Sequence, residues 1–180
     1  MMIRTPVLVL ATAGLLACEP PEGPNTTKTP PAAAKPATPA PVAQAGPRTV
    51  SAEARTAMKD KLAAEGAKKA WILSQPGNAE VATLVATLTG IFKDAGWEVQ
   101  ADTVSGISLK PGLMTLIADE QYPPYVDTML KAMESTGLEV KSASGYRNYY
   151  DSKKQENPSW PGVPIKPDQD FVIVVGPKPS

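Results

Sequence analysis

A strand–helix–strand pattern occurs twice in this chain, and it constrains the fold more than any other feature of the sequence. In each copy a short apolar run precedes a helix with one apolar stripe, and the helix ends at a glycine. The two closures, Gly96-Trp97-Glu98-Val99 and Gly137-Leu138-Glu139-Val140, match at three of four positions. Independent convergence on a common helix-to-strand turn would also explain the match. Two tandem βαβ units are the simplest account, and they predict an α/β domain.

The first unit begins with an apolar strand over residues 70–74. Asn78 follows, and its side chain can accept hydrogen bonds from the first free amides of a helix. Trp97, Val99 and Ala101 then alternate with polar residues, as in a half-buried strand. Between the cap and this strand, apolar residues at i, i+3, i+4, i+7, i+10 and i+11 form one helical stripe: Val81, Leu84, Val85, Leu88, Ile91 and Phe92.

The second unit repeats this order with a strand over residues 113–118 and a helix opened by Pro123 and Pro124. An alternating strand follows Gly137. Outside the two units, Ser51 is placed to cap a first helix that runs to about Lys69, and residues 171–175 form a last strand. The stripe of the second unit's helix consists of Val126, Met129, Leu130 and Met133.

Strand composition and connection length favour different arrangements of the predicted mixed sheet of about five strands. Strands 71–73, 113–118 and 171–175 are apolar on both faces, which is typical of strands between two helix layers. This favours a doubly wound sheet with strands 97–101 and 138–142 at its edges. The connection over residues 105–112 is shorter than parallel crossovers usually are. It favours the alternative, a ferredoxin-like split βαβ arrangement with both helices on one face.

The N-terminus has the features of a bacterial secretory signal. Arg4 supplies a positive start, residues 7–16 are largely apolar, and Ala17 is a small residue directly before Cys18. Cys18 is the single cysteine of the chain. The run Leu15-Leu16-Ala17-Cys18 resembles the lipobox of bacterial lipoproteins. An ordinary signal peptide with a nearby cysteine is the alternative.

The lipobox resemblance implies a location. In such lipoproteins the cysteine thiol is diacylated and the chain is cut before it, so residues 1–17 would be a signal peptide and the membrane a partner through acylated Cys18. More than one acyl chain makes attachment stable. Because Glu19 rather than an aspartate follows the cysteine, the resemblance favours the outer membrane, facing the periplasm, in a bacterium with two membranes.

Residues 18–48 contain little that could fold. Between Glu19 and Arg48 there are 9 prolines, 7 alanines and 4 threonines, and almost no large apolar side chains. Such a composition cannot bury enough surface to offset the entropy of ordering. We therefore predict a disordered spacer over residues 18–48 that carries a single α/β domain over residues 49–180.

The overall charge excludes several classes of function. The chain has 18 basic and 18 acidic residues, and without Arg4 the balance is 17 to 18, a net charge of −1. There is no basic surplus of the kind that nucleic acids require. Histidine is absent, and lipidation would consume the one thiol. The sequence therefore predicts no nucleic-acid partner, no metal and no cofactor.

In a doubly wound sheet, ligands favour the crevice at the carboxyl ends of the central strands. Asp119 and Glu120 would lie there and could act as an acid/base pair, as in glycosidases. For these two carboxylates the alternative is a solvated turn. Pro76-Gly77-Asn78, before the first unit's helix, could bind an anion through free backbone amides. The alternative there is a plain turn with a helix cap. The other residues expected at this crevice are Ser74, Gln75 and Gln121.

A second candidate lies in residues 145–164, which we predict to be a long loop. Tyrosine, tryptophan and arginine are enriched at interaction hot spots, and flat aromatic rings can also stack on sugars. A loop that packs its aromatic residues over the edge of a small core is the alternative. The predicted ligand-binding or partner-binding residues are Tyr146, Arg147, Tyr149, Tyr150 and Trp160.

Two hypotheses for function follow. The favoured one is a lipid-anchored cell-envelope protein with a tethered, non-enzymatic binding or structural domain, whose partner is an envelope protein or cell-wall glycan. The alternative is a carboxylate-dependent envelope hydrolase that acts on glycan through Asp119 and Glu120.

Overall fold

A computed structural model describes residues 46–179 of the chain. The predicted signal peptide, Cys18 and the spacer as far as residue 45 lie outside the described residues. In the described part, no helix has the length and apolar character needed to cross a membrane. The elements are α1 (Ala52–Ala63), β1 (Lys69–Ser74), α2 (Ala79–Asp94), β2 (Glu98–Thr103), β3 (Leu113–Ile117), α3 (Pro124–Glu134), β4 (Val140–Ala143), α4 (Tyr146–Glu156) and β5 (Phe171–Val175).

The five strands form one mixed sheet in the order β2-β1-β5-β3-β4. β1 is parallel to both β2 and β5, whereas β3 is antiparallel to β5 and parallel to β4. The predicted α/β class and the two βαβ units, β1-α2-β2 and β3-α3-β4, are therefore confirmed. The apolar strands β1, β5 and β3 occupy the centre, and the alternating strands β2 and β4 lie at the edges, as their burial patterns predict.

The helices α2 and α3 lie on the same face of the sheet, so the favoured doubly wound arrangement is not the one observed. Both contribute to one core together with α1. The reason is the direction of β3. Because β3 runs antiparallel to β5, the second unit is turned by half a turn within the sheet plane, and a right-handed crossover turned in this way stays on the same face. The ferredoxin-like alternative anticipated this common face, but the paired strands of each unit are adjacent rather than split.

The face covered by α1, α2 and α3, called the three-helix face below, holds the larger core. Asn78 caps α2 by accepting hydrogen bonds from two backbone amides, and Gly96 ends the helix with φ of 84°. Phe92 is fully buried, and its ring lies 5.3 Å from that of Trp97. The Trp97 indole donates a hydrogen bond to the Leu62 carbonyl at 3.0 Å, which ties α1 to the sheet.

α1 differs from its predicted form at one end. Ser51 caps it as predicted, with its hydroxyl oxygen accepting from the Ala54 amide at 3.2 Å. The helix ends at Ala63 instead of Lys69, and a turn leads directly into β1. Although four of its six apolar residues are alanines, Met58 and Leu62 are fully buried. These two side chains anchor α1 in the larger core.

The opposite face of the sheet, called the α4 face below, is covered by α4, the β2–β3 connection and residues 163–165. The β2–β3 connection is short because antiparallel β3 begins at the sheet end where β2 finishes. It passes so close to the chain after β5 that a Cβ at Gly176 would lie 1.9 Å from the Lys110 carbonyl oxygen, so only glycine fits. The smaller core on this face contains Trp71, Leu109, Leu116, Ala118, Val163, Ile165, Val172 and Val174.

Arg48, the last residue of the predicted spacer, belongs structurally to the domain. Its side chain is 9% exposed, and its guanidinium donates to Glu80 at two distances of 2.7 Å. It also donates to the Gly176 carbonyl at 2.7 Å. The folded domain therefore includes residues before the predicted boundary at Thr49.

Candidate functional site

The region predicted as a long loop contains a helix, α4 (Tyr146–Glu156), followed by an irregular segment that leads to β5. α4 has no buried residue and therefore no apolar stripe that would predict a helix from the sequence. Its contact with the sheet is made mainly through partly buried Tyr146, which packs against the smaller core. Periodicity detects helices by their buried face, so a helix with few core contacts escapes it.

Four aromatic side chains from α4 and the segment after it pack together, and we call Tyr146, Tyr149, Tyr150 and Trp160 the aromatic cluster. The Trp160 ring lies 5.7 Å from both Tyr149 and Tyr150, with interplanar angles of 85° and 63°. The Tyr146 ring lies 5.9 Å from Tyr149 and 6.5 Å from Tyr150. These edge-to-face and tilted contacts are the favoured geometries for aromatic pairs.

A glycine fixes the position of Trp160. A Cβ at Gly162 would lie 1.8 Å from the Trp160 ring, so the indole folds back over a backbone that has no side chain. The Gly162 amide donates to the Trp160 carbonyl at 3.0 Å and closes this tight turn. The structure thus brings Trp160, which is ten residues from Tyr150 in the sequence, against the tyrosines of α4.

The members of the aromatic cluster differ in exposure. Tyr146 is partly buried, and burial raises the pKa of its hydroxyl. Tyr150 and Trp160 are also partly buried. Tyr149 is 50% exposed and is the one large hydrophobic side chain of residues 46–179 found to be exposed. The cluster therefore presents one open ring, Tyr149, that packs against Tyr146 and Trp160, and both of these also contact Tyr150.

Two lysines lie over the tyrosine rings and add positive charge to this surface. Lys153 Nζ is 6.0 Å from the centre of the Tyr149 ring, and Lys154 Nζ is 5.8 Å from that of Tyr150. An ion pair with Glu156 at 2.6 Å raises the pKa of Lys153. Neither lysine was predicted as a site residue, although each lies four residues after its tyrosine, a spacing that brings the two side chains together on a helix.

Arg147, predicted as a binding residue, has its guanidinium engaged within the fold. It donates to the backbone carbonyls of Ile165, Lys166 and Gln169 at 3.0–3.3 Å. It also lies 3.4 Å from a carboxylate oxygen of Asp119. These bonds attach α4 to the segment before β5. They hold the aromatic cluster in place, and they leave the guanidinium little capacity for a ligand.

A cleft of about 380 Å³ lies at the opposite end of the sheet from Asp119. The prediction that Ser74 and Asp119 lie around one crevice is wrong, because the antiparallel β3 separates them. Ser74 pairs with the last residue of β5, whereas Ile117 pairs with the first, about 14 Å away along the strand. The cleft is lined by Gln75, Pro76, Gly77, Asn78, Val81, Val104, Ser105, Gly106, Val175 and Pro177.

The polar side chains around this cleft are used by the fold. Gln75 donates to the Ile107 carbonyl and accepts from the Leu109 amide, at 3.2 Å in the latter contact, so it holds the β2–β3 connection. Asn78 accepts from the amides of Glu80 and Val81, which a bound anion would otherwise use. The plain turn with a helix cap, one of the two interpretations of Pro76-Gly77-Asn78, describes this local structure.

Asp119 and Glu120 lie on the surface just after β3. Asp119 has an exposed side chain (56%) and pairs with Arg147, and Glu120 is also exposed. The cleft described above includes neither carboxylate, and Gln121 is exposed beside them. Within residues 46–179, no group of three or more metal-ligating side chains is placed to hold a metal ion.

No protein-family model matches this chain, and no curated protein or solved structure shows significant similarity to it. Its function must therefore be argued from its own residues.

Proposed function

We propose that this protein is a lipid-anchored cell-envelope protein whose tethered α/β domain binds a partner through the aromatic cluster. The partner is an envelope protein or a cell-wall glycan. The observation that carries the proposal is the half-exposed Tyr149 ring, held open by a cluster whose other rings are partly buried. The anchor is acylated Cys18, and the spacer lets the domain reach away from the membrane.

Three features of the described residues support a binding role. The aromatic rings are fixed by mutual contacts and by Gly162, so little side-chain entropy is lost when a partner binds. Arg147 fastens α4 to the rest of the domain. Tyrosine and tryptophan are also the residue types that contribute most to binding hot spots. A rigid aromatic surface on a tethered domain is suited to recognition.

The hydrolase alternative receives no comparable support. A general acid and base must flank a bound substrate, which requires both carboxylates at one cleft. Asp119 and Glu120 are exposed, and Asp119 is engaged by Arg147 instead. We therefore do not propose hydrolysis.

The anchor is tested by labelling cells that express the full chain with radioactive palmitate. The wild-type protein should carry label and fractionate with membranes, whereas Cys18→Ser should carry none and leave the membrane fraction. Labelling of the Cys18→Ser variant, or unlabelled wild type, would contradict the anchor. In a bacterium with two membranes, density-gradient separation then reports which membrane holds the protein.

The binding surface is tested with a combined Tyr149→Ala, Tyr150→Ala and Trp160→Ala variant of the full chain. We expect it to lose capture of both candidate partners, solubilised envelope proteins and purified cell-wall sacculi, by at least tenfold wherever the wild type binds. Gln155→Ala, an exposed change on the same helix, is the matched control. Circular dichroism verifies that each variant is folded. Equal capture by the folded triple variant would refute the surface assignment.

A further inference from the structure

We infer that the ligand of the aromatic cluster is a cell-wall glycan that carries carboxylates, with sugar rings stacked on Tyr149 and carboxylates bound by Lys153 and Lys154. This inference rests on the proposed function and chooses between its two classes of partner. It depends on the size of the exposed apolar surface, on the chemistry of an aromatic face and on the charges beside it.

Size separates the two classes of partner. A stable protein interface buries roughly 800 Å² on each side and has a desolvated apolar centre. A fully buried aromatic side chain contributes about 150–250 Å², so half-exposed Tyr149 offers roughly 100 Å². No other large hydrophobic side chain of the described residues is exposed. Tyr150 and Trp160 add partly exposed rings beside Tyr149, and the exposed apolar area remains well below the roughly 800 Å² that a protein interface buries on each side. The Tyr149 ring itself matches a single sugar ring.

The chemistry of the open ring fits a sugar. An aromatic face is electron-rich, and its edge is electron-poor. One face of a pyranose presents C–H bonds whose hydrogens carry partial positive charge, so it packs on an aromatic face while the hydroxyl groups remain free for hydrogen bonds. Because Trp160 meets Tyr149 at 85°, the two rings form a corner instead of a flat apolar sheet. A corner of this kind can seat a ring that has one apolar face and a polar rim.

The charges beside the rings favour an anionic glycan. Lys153 and Lys154 lie over two tyrosines of the cluster, and Glu156 is paired with Lys153. Lys154 donates one hydrogen bond, to the Pro158 carbonyl at 3.0 Å, and an ammonium group has three donors. Lys154 therefore places a positive charge and unused donors beside the aromatic cluster. Carboxylates on the sugars or peptide stems of a cell wall would complement both.

The test is cosedimentation of the detergent-solubilised full chain with purified peptidoglycan sacculi. We expect Tyr149→Ala to lower the bound fraction at least tenfold, whereas Tyr149→Phe, which keeps the ring, should stay within twofold of wild type. Lys153→Ala combined with Lys154→Ala should weaken binding about threefold and remove most of its salt dependence. Soluble fragments released from the sacculi by a muramidase should compete with sedimentation.

The outcomes separate this inference from the proposed function. The inference is overturned if the wild-type protein does not sediment with sacculi. It is also overturned if the folded Tyr149→Ala variant binds sacculi as well as the wild type does. If the protein does not bind sacculi but binds a purified envelope protein in a Tyr149-dependent way, the proposed function stands and the glycan assignment is wrong. If neither partner depends on Tyr149, both are wrong. The Gln155→Ala variant should match wild type in every arm.

Discussion

The two faces of the sheet are built in different ways. On the three-helix face, α1, α2 and α3 bury large side chains such as Phe92, Met129 and Met133 completely. On the α4 face the covering layer consists of one helix without a buried residue and two irregular segments. Side-chain hydrogen bonds to backbone groups, such as those of Arg147 and Gln75, hold this layer together. Packing stabilises the first layer, and polar contacts to backbone carbonyls stabilise much of the second.

This difference bears on function. A layer held by a few specific contacts can open locally at lower cost than a packed core, and binding surfaces are commonly drawn from such layers. The aromatic cluster belongs to the α4 face. The domain thus has a stable core on the three-helix face. On the α4 face, the exposed residues of α4 are not constrained by packing in a core.

The largest effect is expected from a cavity on the three-helix face. Phe92→Ala should lower the free energy of unfolding by about 3–5 kcal/mol, because the ring is fully buried between α2 and the sheet. Tyr149→Ala on the α4 face is the matched aromatic truncation. It should lower the free energy of unfolding by only about 1 kcal/mol, because the ring is half-exposed and loses its contacts with Tyr146 and Trp160. Urea titrations of both variants measure the difference. Equal losses would show that the aromatic cluster contributes as much to stability as the core of the three-helix face.

A smaller and local effect is expected from Arg147→Met. This change removes hydrogen bonds to three carbonyls and the contact with Asp119. Amide exchange should accelerate about tenfold or more in residues 157–170, while the amides of α2 keep their protection. Hydrogen-exchange mass spectrometry reads both regions in one sample. Asn148→Ala, an exposed change on α4, is the control. Acceleration throughout the domain would mean that the α4 face does not open independently.

The smallest effect concerns pH and the start of the three-helix layer. The hydrogen bond from Arg48 lowers the pKa of Glu80 below its ordinary value of 4.5. The ion pair therefore contributes its full stability above pH 4.5, and this contribution is lost as pH falls through the lower pKa of the folded state. Glu80→Gln should cost about 1.5 kcal/mol at pH 7. Its deficit against wild type should shrink towards pH 3 in urea titrations. A deficit that does not depend on pH would contradict the ionic role of Glu80.

Much of the fold was predictable from local sequence patterns. The α2 stripe, the Asn78 cap and Gly96 gave the helix and its ends, and doubly apolar runs identified β1, β5 and β3 as central strands. These features are local consequences of periodicity and capping. α4 was not predicted because its contacts are made by tyrosines and by an arginine that donates to distant carbonyls. Such contacts produce no apolar periodicity in the sequence.

The candidate site was only partly predictable. All four members of the aromatic cluster were predicted as binding residues, because tyrosine and tryptophan are enriched at interaction hot spots. They were placed on a loop, Arg147 was assigned to a ligand, and Lys153 and Lys154 were not predicted. The contact between Trp160 and the tyrosines depends on the turn at Gly162, whose close approach is a property of the folded chain.

The sequence by itself determined the α/β class, the two βαβ units and the division into central and edge strands, because these follow from periods of two and 3.6 residues along the chain. The tertiary structure decided the direction of β3. That one reversal places α2 and α3 on a common face and moves Asp119 to the end of the sheet opposite the cleft. Strand direction depends on which partner strand supplies hydrogen bonds and apolar contacts. The short connection over residues 105–112 was the one local indication of this direction, and the strands that are apolar on both faces favoured the other arrangement.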